Sequence, residues 1–235
     1  MGAEVMGESR YEGAVIEVPA GWKLLSDRVG GRQHVPAFAM DRDLVTVADY
    51  RRFIEAGGYL QPEYWDEEGW QWRTREGIEA PRFFGDPDWA PYLEPERPIV
   101  GVSYWEARAF CAWAGRALPT EVQWEAAARG EDGRLYPWGN RFDEGRVGMR
   151  GVGRRGTWPV GHWPRANGPY GHRDLVGNVW QWTTDDWDPG RSRAKAVRGG
   201  AWSARPVHAR TDHRNGYQPE GRWSHVGFRT VLPGV

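Results

Sequence analysis

Sixteen tryptophans, spread among 32 glycines and 17 prolines, most constrain what this chain can fold into. A buried tryptophan fills a large volume and needs a hydrogen-bond partner for its indole N–H. Glycine and proline interrupt helices and strands and so favour turns and loops. The combination predicts a loop-rich fold in which large rings hold irregular segments in place, with most of these rings in the core.

The length of 235 residues fits one domain, 1–235, and no repeat or low-complexity linker divides it. Residues 1–13 are polar without periodicity and are expected to form a tail or a short added strand. The formal net charge of −1 predicts no nucleic-acid or membrane partner, and no apolar run has the length of a membrane span. No secretory signal is visible, so a cytoplasmic protein is expected. The single cysteine, Cys111, excludes an internal disulfide.

Three capping boxes predict the starts of three helices. Thr46, Ser103 and Thr120 each precede Asp, Glu or Gln by three positions, the spacing at which a cap and its partner satisfy each other's backbone. Glycines at 57, 115 and 130 are expected to end these helices, so the second and third cover 104–114 and 121–129. Short strands are expected at 15–18, 35–40, 179–184, 196–198 and 227–231. The aromatic, proline-rich segment 59–98 has little periodicity and is predicted to be a loop.

Several motifs follow one another in the second half of the chain. Leu118–Gly130 reads LPTEVQWEAAARG, Gly177–Trp182 reads GNVWQW, and Arg198–Trp202 reads RGGAW, closed by GFRTV at Gly227–Val231. In this order they resemble the formylglycine-generating-enzyme, or sulfatase-modifying-factor, family over residues 35–232. The resemblance implies an α+β fold of the C-type-lectin-like type, loop-rich, with a small antiparallel sheet and two to three helices.

One branch of that family uses a pair of cysteine thiolates after the Arg-Gly-Gly motif to bind copper and activate oxygen. The matching segment here, Ala201–Arg210, contains no cysteine. Cu(I) is a soft ion that needs thiolate or thioether ligands, so this chemistry is not expected. Cys111 lies on an apolar helix face, where a lone cysteine is typically a small core residue.

A second branch, the ergothioneine-type sulfoxide synthases, is more similar. Gly57–Trp65 with Gly69–Trp72, and Arg210–Asn215 with Pro219–Trp223, resemble the corresponding regions of those enzymes. Their iron-binding histidines lie on a separate helical domain, and its His-x-x-x-His-x-Glu pattern does not occur in this chain. The resemblance therefore implies the substrate-binding half of a non-heme-iron oxidoreductase that takes a small amino-acid-like substrate.

The ligand pocket is predicted on C-terminal loops, with the aromatic residues of segment 59–98 as one wall. Loops on a rigid scaffold carry most binding sites, aromatic walls with a few polar groups are the usual pocket chemistry, and arginine holds a carboxylate through two hydrogen bonds. The predicted ligand-binding residues are Tyr64, Trp65, Trp70, Trp72, Trp202, Arg205, Asp212, Arg214, Tyr217 and Trp223. Arg198 and Arg229 lie inside the family-wide strand motifs and are assigned to structure.

Two metal sites are hypothesised. His208, His213 and His225 fall within 18 residues, and three imidazoles can form a facial iron site; histidines in a solvated loop are the alternative. Calcium is the structural ion that the resemblance implies, at Asn178 and at position 181. Gln181 stands where the family motif has a carboxylate, which weakens a site for a hard cation.

Two classes of function remain open from the sequence. The first is a stand-alone oxidoreductase of the non-heme-iron type that binds and oxidises a small amino-acid-like molecule. The second is a non-catalytic lectin-fold module that binds a ligand or a protein partner, or serves as an accessory subunit. The fold alone does not decide between them.

Overall fold

Four α-helices and eight short strands form the regular structure of residues 11–149 and 156–233, the ranges described by the computed structural model. The strands are β1 (Val15–Val18), β2 (Gly21–Leu24), β3 (Arg32–Val35), β4 (Phe38–Asp41), β5 (Trp180–Asp186), β6 (Lys195–Arg198), β7 (Arg214–Tyr217) and β8 (Val226–Gly227). The helices are α1 (Val47–Glu55), α2 (Glu67–Glu76), α3 (Tyr104–Ala114) and α4 (Glu121–Arg129). Most remaining residues lie in turns, short 3₁₀ helices and loops, as the glycine and proline content predicts.

The strands form three small sheets. β1 pairs with β4 and β2 with β3, both antiparallel, while the largest sheet has the order β7-β6-β5-β8. Its β5–β6 and β6–β7 pairs are antiparallel, but β5 and β8 run parallel, so the sheet is mixed rather than purely antiparallel. The segment 35–40, expected to be one strand, belongs to two strands, because Pro36 and Ala37 separate β3 from β4. β3 pairs with β2, whereas β4 pairs with β1.

Residues 228–232 cross the centre of the fold after β8. Phe228 O accepts from Val45 N at 3.0 Å, and Thr230 O accepts from Asp41 N at 2.9 Å. Val231 exchanges two backbone hydrogen bonds with Ala117, at 2.8 and 3.0 Å. This segment therefore joins the regions near α1 and α3 through its backbone.

The three predicted capping boxes are all present. Thr46, Ser103 and Thr120 each accept a hydrogen bond from the backbone N–H three residues on, and the side chain at that position accepts from the cap's own N–H. α3 and α4 cover 104–114 and 121–129 as predicted, and Gly115 ends α3 in the left-handed conformation, with φ 64°.

α2 lies inside the segment that the sequence predicts to be a loop, so the expected two to three helices are four. Asp66 caps it by accepting from Gly69 N at 2.7 Å, and Gly77 ends it with φ 62°. A Cβ at Gly69 would lie 2.9 Å from the Cβ of Trp105, so only glycine allows this approach to α3. The helix depends on this docking and on its caps rather than on an apolar stripe, and periodicity alone therefore does not reveal it.

The main core lies between α1, α3 and residues 228–231. The rings of Tyr50, Phe53 and Phe228 all lie within 6.0 Å of the Phe110 ring, centroid to centroid. Tyr11 is only 3% exposed and packs edge-on against Phe110 at 5.3 Å. Residues 11–13 are therefore not a tail, while the rest of the predicted tail, residues 1–10, lies outside the described ranges.

Arg198 and Arg229 are both fully buried, in keeping with their assignment to structure. Arg198 donates to Glu121 at 3.0 Å and to Glu125 at 2.9 Å. Arg229 donates to four main-chain carbonyl oxygens and to the Gln181 Oε1 at 2.8 Å.

No helix in the described part of the chain is long and apolar enough to cross a membrane.

Candidate functional site

A cleft of about 740 Å³ opens between α2 and the loop 219–223. Three tryptophans form its aromatic walls: Trp72 on α2, Trp105 on α3 and Trp223 on the loop. Its other lining residues are Glu68, Gln71, Arg75, Glu76, Ile78, Arg82, Arg193, Glu220, Gly221 and Arg222. Trp72 and Trp223 are predicted ligand-binding residues from distant segments, and the fold brings them to one cavity.

The start of α3 positions both sides of this cleft. Tyr104 N donates to Pro219 O at 2.9 Å, and Gly101 N donates to Trp223 O at 3.0 Å, so the loop is fixed across the N-terminal end of the helix. Trp105 packs against Trp72 with ring centroids 5.1 Å apart, which fixes α2 on the other side.

A buried ion pair lies under the loop. Arg222 donates from Nε to the Oε2 of Glu106 at 3.0 Å and from Nη2 to Oε1 at 3.1 Å, and Nη2 also contacts Ala80 O. Glu106 is fully buried, and its carboxylate also accepts from Ser103 N at 2.7 Å and from the Tyr59 hydroxyl at 2.6 Å. Burial raises the pKa of Glu106, and Arg222 offsets part of that rise.

The charges that line the cleft are mostly paired on its rim. Arg193 contacts Glu68, and Arg75 contacts Glu76 at 2.9 Å. Arg82 also lines the cleft and forms no ion pair with the described residues; its Nη1 donates weakly to Arg222 O at 3.5 Å. The cleft thus offers exposed cationic groups beside an apolar aromatic wall.

A second group of predicted site residues lies next to Trp223 and consists of Trp202, Tyr217 and His225. The Tyr217 hydroxyl lies 3.1 Å from His225 Nε2, and the Trp223 ring centroid lies 5.8 Å from that of Tyr217 and 6.3 Å from that of His225. Trp202 Nε1 donates to Ser224 O at 3.2 Å, which ties the Arg-Gly-Gly loop to the same segment. Burial lowers the pKa of His225 and raises that of Tyr217.

The other two histidines of the proposed iron site form a stack. The rings of His208 and His213 are 4.4 Å apart and nearly parallel, and both lie about 6 Å from the Trp180 ring. Burial lowers the pKa of both imidazoles; exposed Arg205 lowers that of His208 further, and His208 does the same to His213.

These histidines do not fit the predicted iron triad. Within 11–149 and 156–233, no three or more His, Cys, Asp or Glu side chains are arranged to hold a metal ion. His208 and His213 present stacked faces to each other, whereas His225 directs its Nε2 to Tyr217. The iron triad therefore stays a prediction, and the orientations of these three imidazoles in the described residues do not support it.

The proposed calcium ligands are also used by the protein itself. The amide of Asn178 accepts from Trp158 N and donates to Trp158 O, both at 3.1 Å. The Gln181 Oε1 accepts from Trp124 Nε1 and from Arg229 Nε, each at 2.8 Å. The Gln181 oxygen already accepts two hydrogen bonds and so cannot readily bind a hard cation as well. The calcium site at Asn178 and Gln181 stays a prediction that these contacts do not support.

Two predicted polar ligand residues are occupied by other partners. Asp212 accepts two hydrogen bonds from Arg210, at 2.9 and 2.7 Å, and this contact lowers its pKa. Arg214 pairs with Glu121 at 2.6 Å and lies over the Trp187 ring at 4.5 Å. Neither residue lines the cleft.

Three of the four aromatic residues predicted as a wall pack mainly within the protein. Trp65 donates from Nε1 to Gly58 O at 2.9 Å, and its ring lies 5.6 Å from that of Tyr59. Tyr64 packs against Phe53 at 6.5 Å. Trp70 is half-buried with its ring 6.5 Å from that of Trp65, so Trp72 alone of this set reaches the cleft.

Sequence reasoning missed several cleft residues. Arg222 stands inside the Pro219–Trp223 motif, directly before the predicted Trp223, so a signal for it was present. Glu106 carried a signal only as the last residue of a capping box, three positions after Ser103. Trp105 and Arg82 carried no signal, because their approach to the cleft depends on how α2 and α3 dock.

The fold and the cleft define a loop-rich α+β protein of the C-type-lectin-like type with a ligand-sized cleft at its loops. The chain belongs to the family of sulfatase-modifying factor enzyme 1-like domains, whose model matches residues 4–233. Two solved structures share the fold: PvdO from Pseudomonas aeruginosa (TM-score 0.65, 22% identity, covering 92% of this chain and 93% of that one) and variable protein 1 of Treponema denticola (TM-score 0.67, 18% identity, covering 92% and 94%).

Among curated proteins, hercynine oxygenase of Mycobacterium tuberculosis is 33% identical over 231 residues, covering 86% of this chain and 52% of that protein. The chain thus spans about half the length of the hercynine oxygenases that it matches. The inactive C-alpha-formylglycine-generating enzyme 2 of Mus musculus is 33% identical over 260 residues, covering 92% of this chain and 84% of that protein.

Proposed function

We propose that this chain binds a small amino-acid-like molecule in the cleft between α2 and the loop 219–223, as the substrate-binding part of an oxidoreductase. The observation that carries the proposal is the arrangement of Trp72, Trp105 and Trp223 around a cavity of about 740 Å³ with Arg222 in its wall. Concave sites of this size that combine aromatic walls with fixed polar groups are typical of small-molecule binding, and most of the other residues that line this cleft are charged or polar. The likeness to hercynine oxygenases supports an amino-acid-like substrate.

The free donors of the cleft suit a carboxylate. Arg222 uses its Nε and Nη2 on Glu106 and Ala80, and its Nη1 forms no hydrogen bond with the described residues. Together with Arg82, which forms no ion pair with the described residues, it offers cationic N–H groups to an anionic group of the ligand. The electron-rich faces of the tryptophans would receive the ligand's cationic or apolar end, since a cation over an indole ring is attracted to it.

Binding is tested by calorimetric titration of the purified protein with hercynine, the compound in the name of the similar oxygenases. Trp223→Ala should weaken binding by about tenfold or more, because it removes a ring from the cleft wall. Trp22, which is 59% exposed on the β2–β3 hairpin, provides the matched control: Trp22→Ala should bind like the parent. Equal affinities for the parent and Trp223→Ala would refute the site.

For the oxidation step we propose only the type of enzyme, an oxidoreductase of the non-heme-iron type. The described residues do not form a metal group, so no step through iron is derived from them. Metal analysis of the purified protein decides this part: about one equivalent of iron that remains after dialysis supports the oxidoreductase.

The alternative is a non-catalytic binding module of the same fold. It is favoured by the engagement of the candidate iron ligands in other contacts, with His208 stacked on His213 and His225 bonded to Tyr217. The similarity to an inactive member of the family points the same way. Ligand binding without bound iron and without turnover of the ligand in the presence of Fe²⁺ and O₂ would support the module.

A further inference from the structure

The side chain of Glu106 does more than cap α3. A capping box needs one carboxylate oxygen to accept from the backbone N–H of the cap residue, here Ser103 N at 2.7 Å. The same carboxylate accepts three further hydrogen bonds, one from the Tyr59 hydroxyl and two from Arg222. A fully buried carboxylate with four donors is a junction between segments as well as a helix cap.

The donors come from three parts of the chain, two of which contribute residues to the cleft. Tyr59 follows α1, and its hydroxyl lies 3.2 Å from the hydroxyl of Tyr50 on that helix. Ser103 begins α3, which carries the cleft residue Trp105. Arg222 belongs to the cleft loop itself. The position of one carboxylate therefore fixes the loop relative to both helices.

The geometry of the ion pair also decides which face of the guanidinium is free. Glu106 takes the edge formed by Nε and Nη2 of Arg222, with N–O distances of 3.0 and 3.1 Å. Such a fork-like contact holds the guanidinium plane as well as its charge. The remaining nitrogen, Nη1, is neither bonded to the described residues nor buried without a partner, and it belongs to a side chain of a residue that lines the cleft.

We infer that Glu106 is a positioning residue for ligand binding: through Arg222 it holds the Nη1 donors towards the cleft and keeps Trp223 in its wall. The inference rests on the proposed ligand site. A neutral glutamine at position 106 has the same shape, but its NH₂ group would face one of the Arg222 donors and it carries no charge. Arg222, whose side chain is partly exposed, would then lose its charged partner and turn towards solvent, since a charge near the protein interior is disfavoured without a partner.

The test compares Glu106→Gln with Ser103→Ala. Ser103→Ala is the matched control because it removes the other half of the same capping box, the Oγ that accepts from Glu106 N at 3.1 Å, without touching Arg222. Ser103→Ala weakens the cap of α3 and leaves the ion pair in place. Glu106→Gln removes the charge of the ion pair but keeps a side chain that can complete a capping box, as Gln123 does in α4. Two readouts are used: the ¹H–¹⁵N resonance of Arg222 Nε, assigned with Arg222→Lys, and the Kd for hercynine by calorimetry.

In the parent, the Arg222 Nε–H should exchange slowly with water because it is buried against a carboxylate. Glu106→Gln should shift this resonance, speed its exchange and weaken hercynine binding by about tenfold or more, the size expected for a lost charge-assisted contact. Ser103→Ala should leave the resonance and the Kd unchanged while lowering the Tm. Equal losses of affinity in the two variants, or an unchanged Arg222 resonance in Glu106→Gln, would overturn the inference.

The two readouts separate this inference from the proposed site. A parent protein that does not bind hercynine argues against the proposed function, whereas the Arg222 resonance still reports whether Glu106 orients the guanidinium. If Glu106→Gln does not fold, Glu106→Asp is measured in the same way: it keeps the charge but shortens the reach to Arg222, and it should reproduce both changes. A folded Glu106→Asp with parental resonance and Kd would refute the positioning role.

Discussion

The buried histidine His172 should make this fold lose stability as the pH falls below neutrality. Its side chain is fully buried. The next two residues of the same loop, Arg173 and Asp174, accept hydrogen bonds from Arg229 through their carbonyl oxygens. Burial, together with the positive charge of Arg229, lowers the pKa of His172 from 6.5 to about 3. The folded protein therefore keeps this imidazole neutral where the unfolded chain would bind a proton.

The sign and the size of the effect follow from this difference. Above pH 6.5 both states carry a neutral imidazole, and the group contributes no pH dependence. Between pH 6.5 and about 3 only the unfolded state is protonated, and each pH unit in that window costs about 1.4 kcal/mol of unfolding free energy. At pH 5 the loss is roughly 2 kcal/mol, a large part of the 5–15 kcal/mol that stabilises an ordinary domain.

Urea unfolding of the parent and of His172→Gln at pH 7 and pH 5 measures this loss. The substitution itself changes stability at both pH values, so the informative quantity is the difference between the two pH values for each protein. Between pH 7 and pH 5, the free energy of unfolding should fall by about 2 kcal/mol more in the parent than in the variant. If both lose the same amount, His172 either titrates normally in the fold or is solvated, and the reasoning from burial fails.

Two further predictions concern buried groups. Cys111→Ser should fold, lose about 1 kcal/mol for a buried hydroxyl and retain hercynine affinity, because this thiol lies in the core with its pKa raised by burial; loss of binding in the folded variant would give the cysteine a direct role. Arg198→Ala should lower the free energy of unfolding, measured in urea, by about 3–5 kcal/mol, since it leaves Glu121 and Glu125 without their shared buried cation. Arg193→Ala breaks an exposed ion pair and should lower it by less than about 1 kcal/mol. Similar losses in the two variants would contradict the burial argument.

Local signals in the sequence were sufficient for the elements that local chemistry controls. α1, α3 and α4 begin at capping boxes, and each box involves only four consecutive residues. The family motifs gave the lectin-like fold. α2 was missed because its stability comes from docking, with Gly69 against Trp105, and a contact 36 positions away has no periodic signature.

Residues of the candidate cleft could be predicted only where the type of side chain alone, such as tryptophan, indicated a binding surface. Trp72 and Trp223 were expected to meet, and they line the same cleft. The three histidines were grouped because they are close in sequence, but side-chain direction decides metal binding, and the loops turn His225 towards Tyr217 and away from the stacked pair. Glu106 shows the converse case: a residue fully explained by a local motif also holds a distant arginine.

Residues 228–232 leave the ribosome after every element with which they pair. Their backbone contacts reach Val45, Asp41 and Ala117, across more than 100 positions of chain. A fold completed by such distant contacts has a high contact order and closes slowly. Until Phe228 enters the cluster around Phe110, the nascent chain must keep its aromatic residues from associating with other chains. Synthesis of this protein therefore passes through a long interval in which α1 to α4 have emerged while the core still lacks one of its central rings.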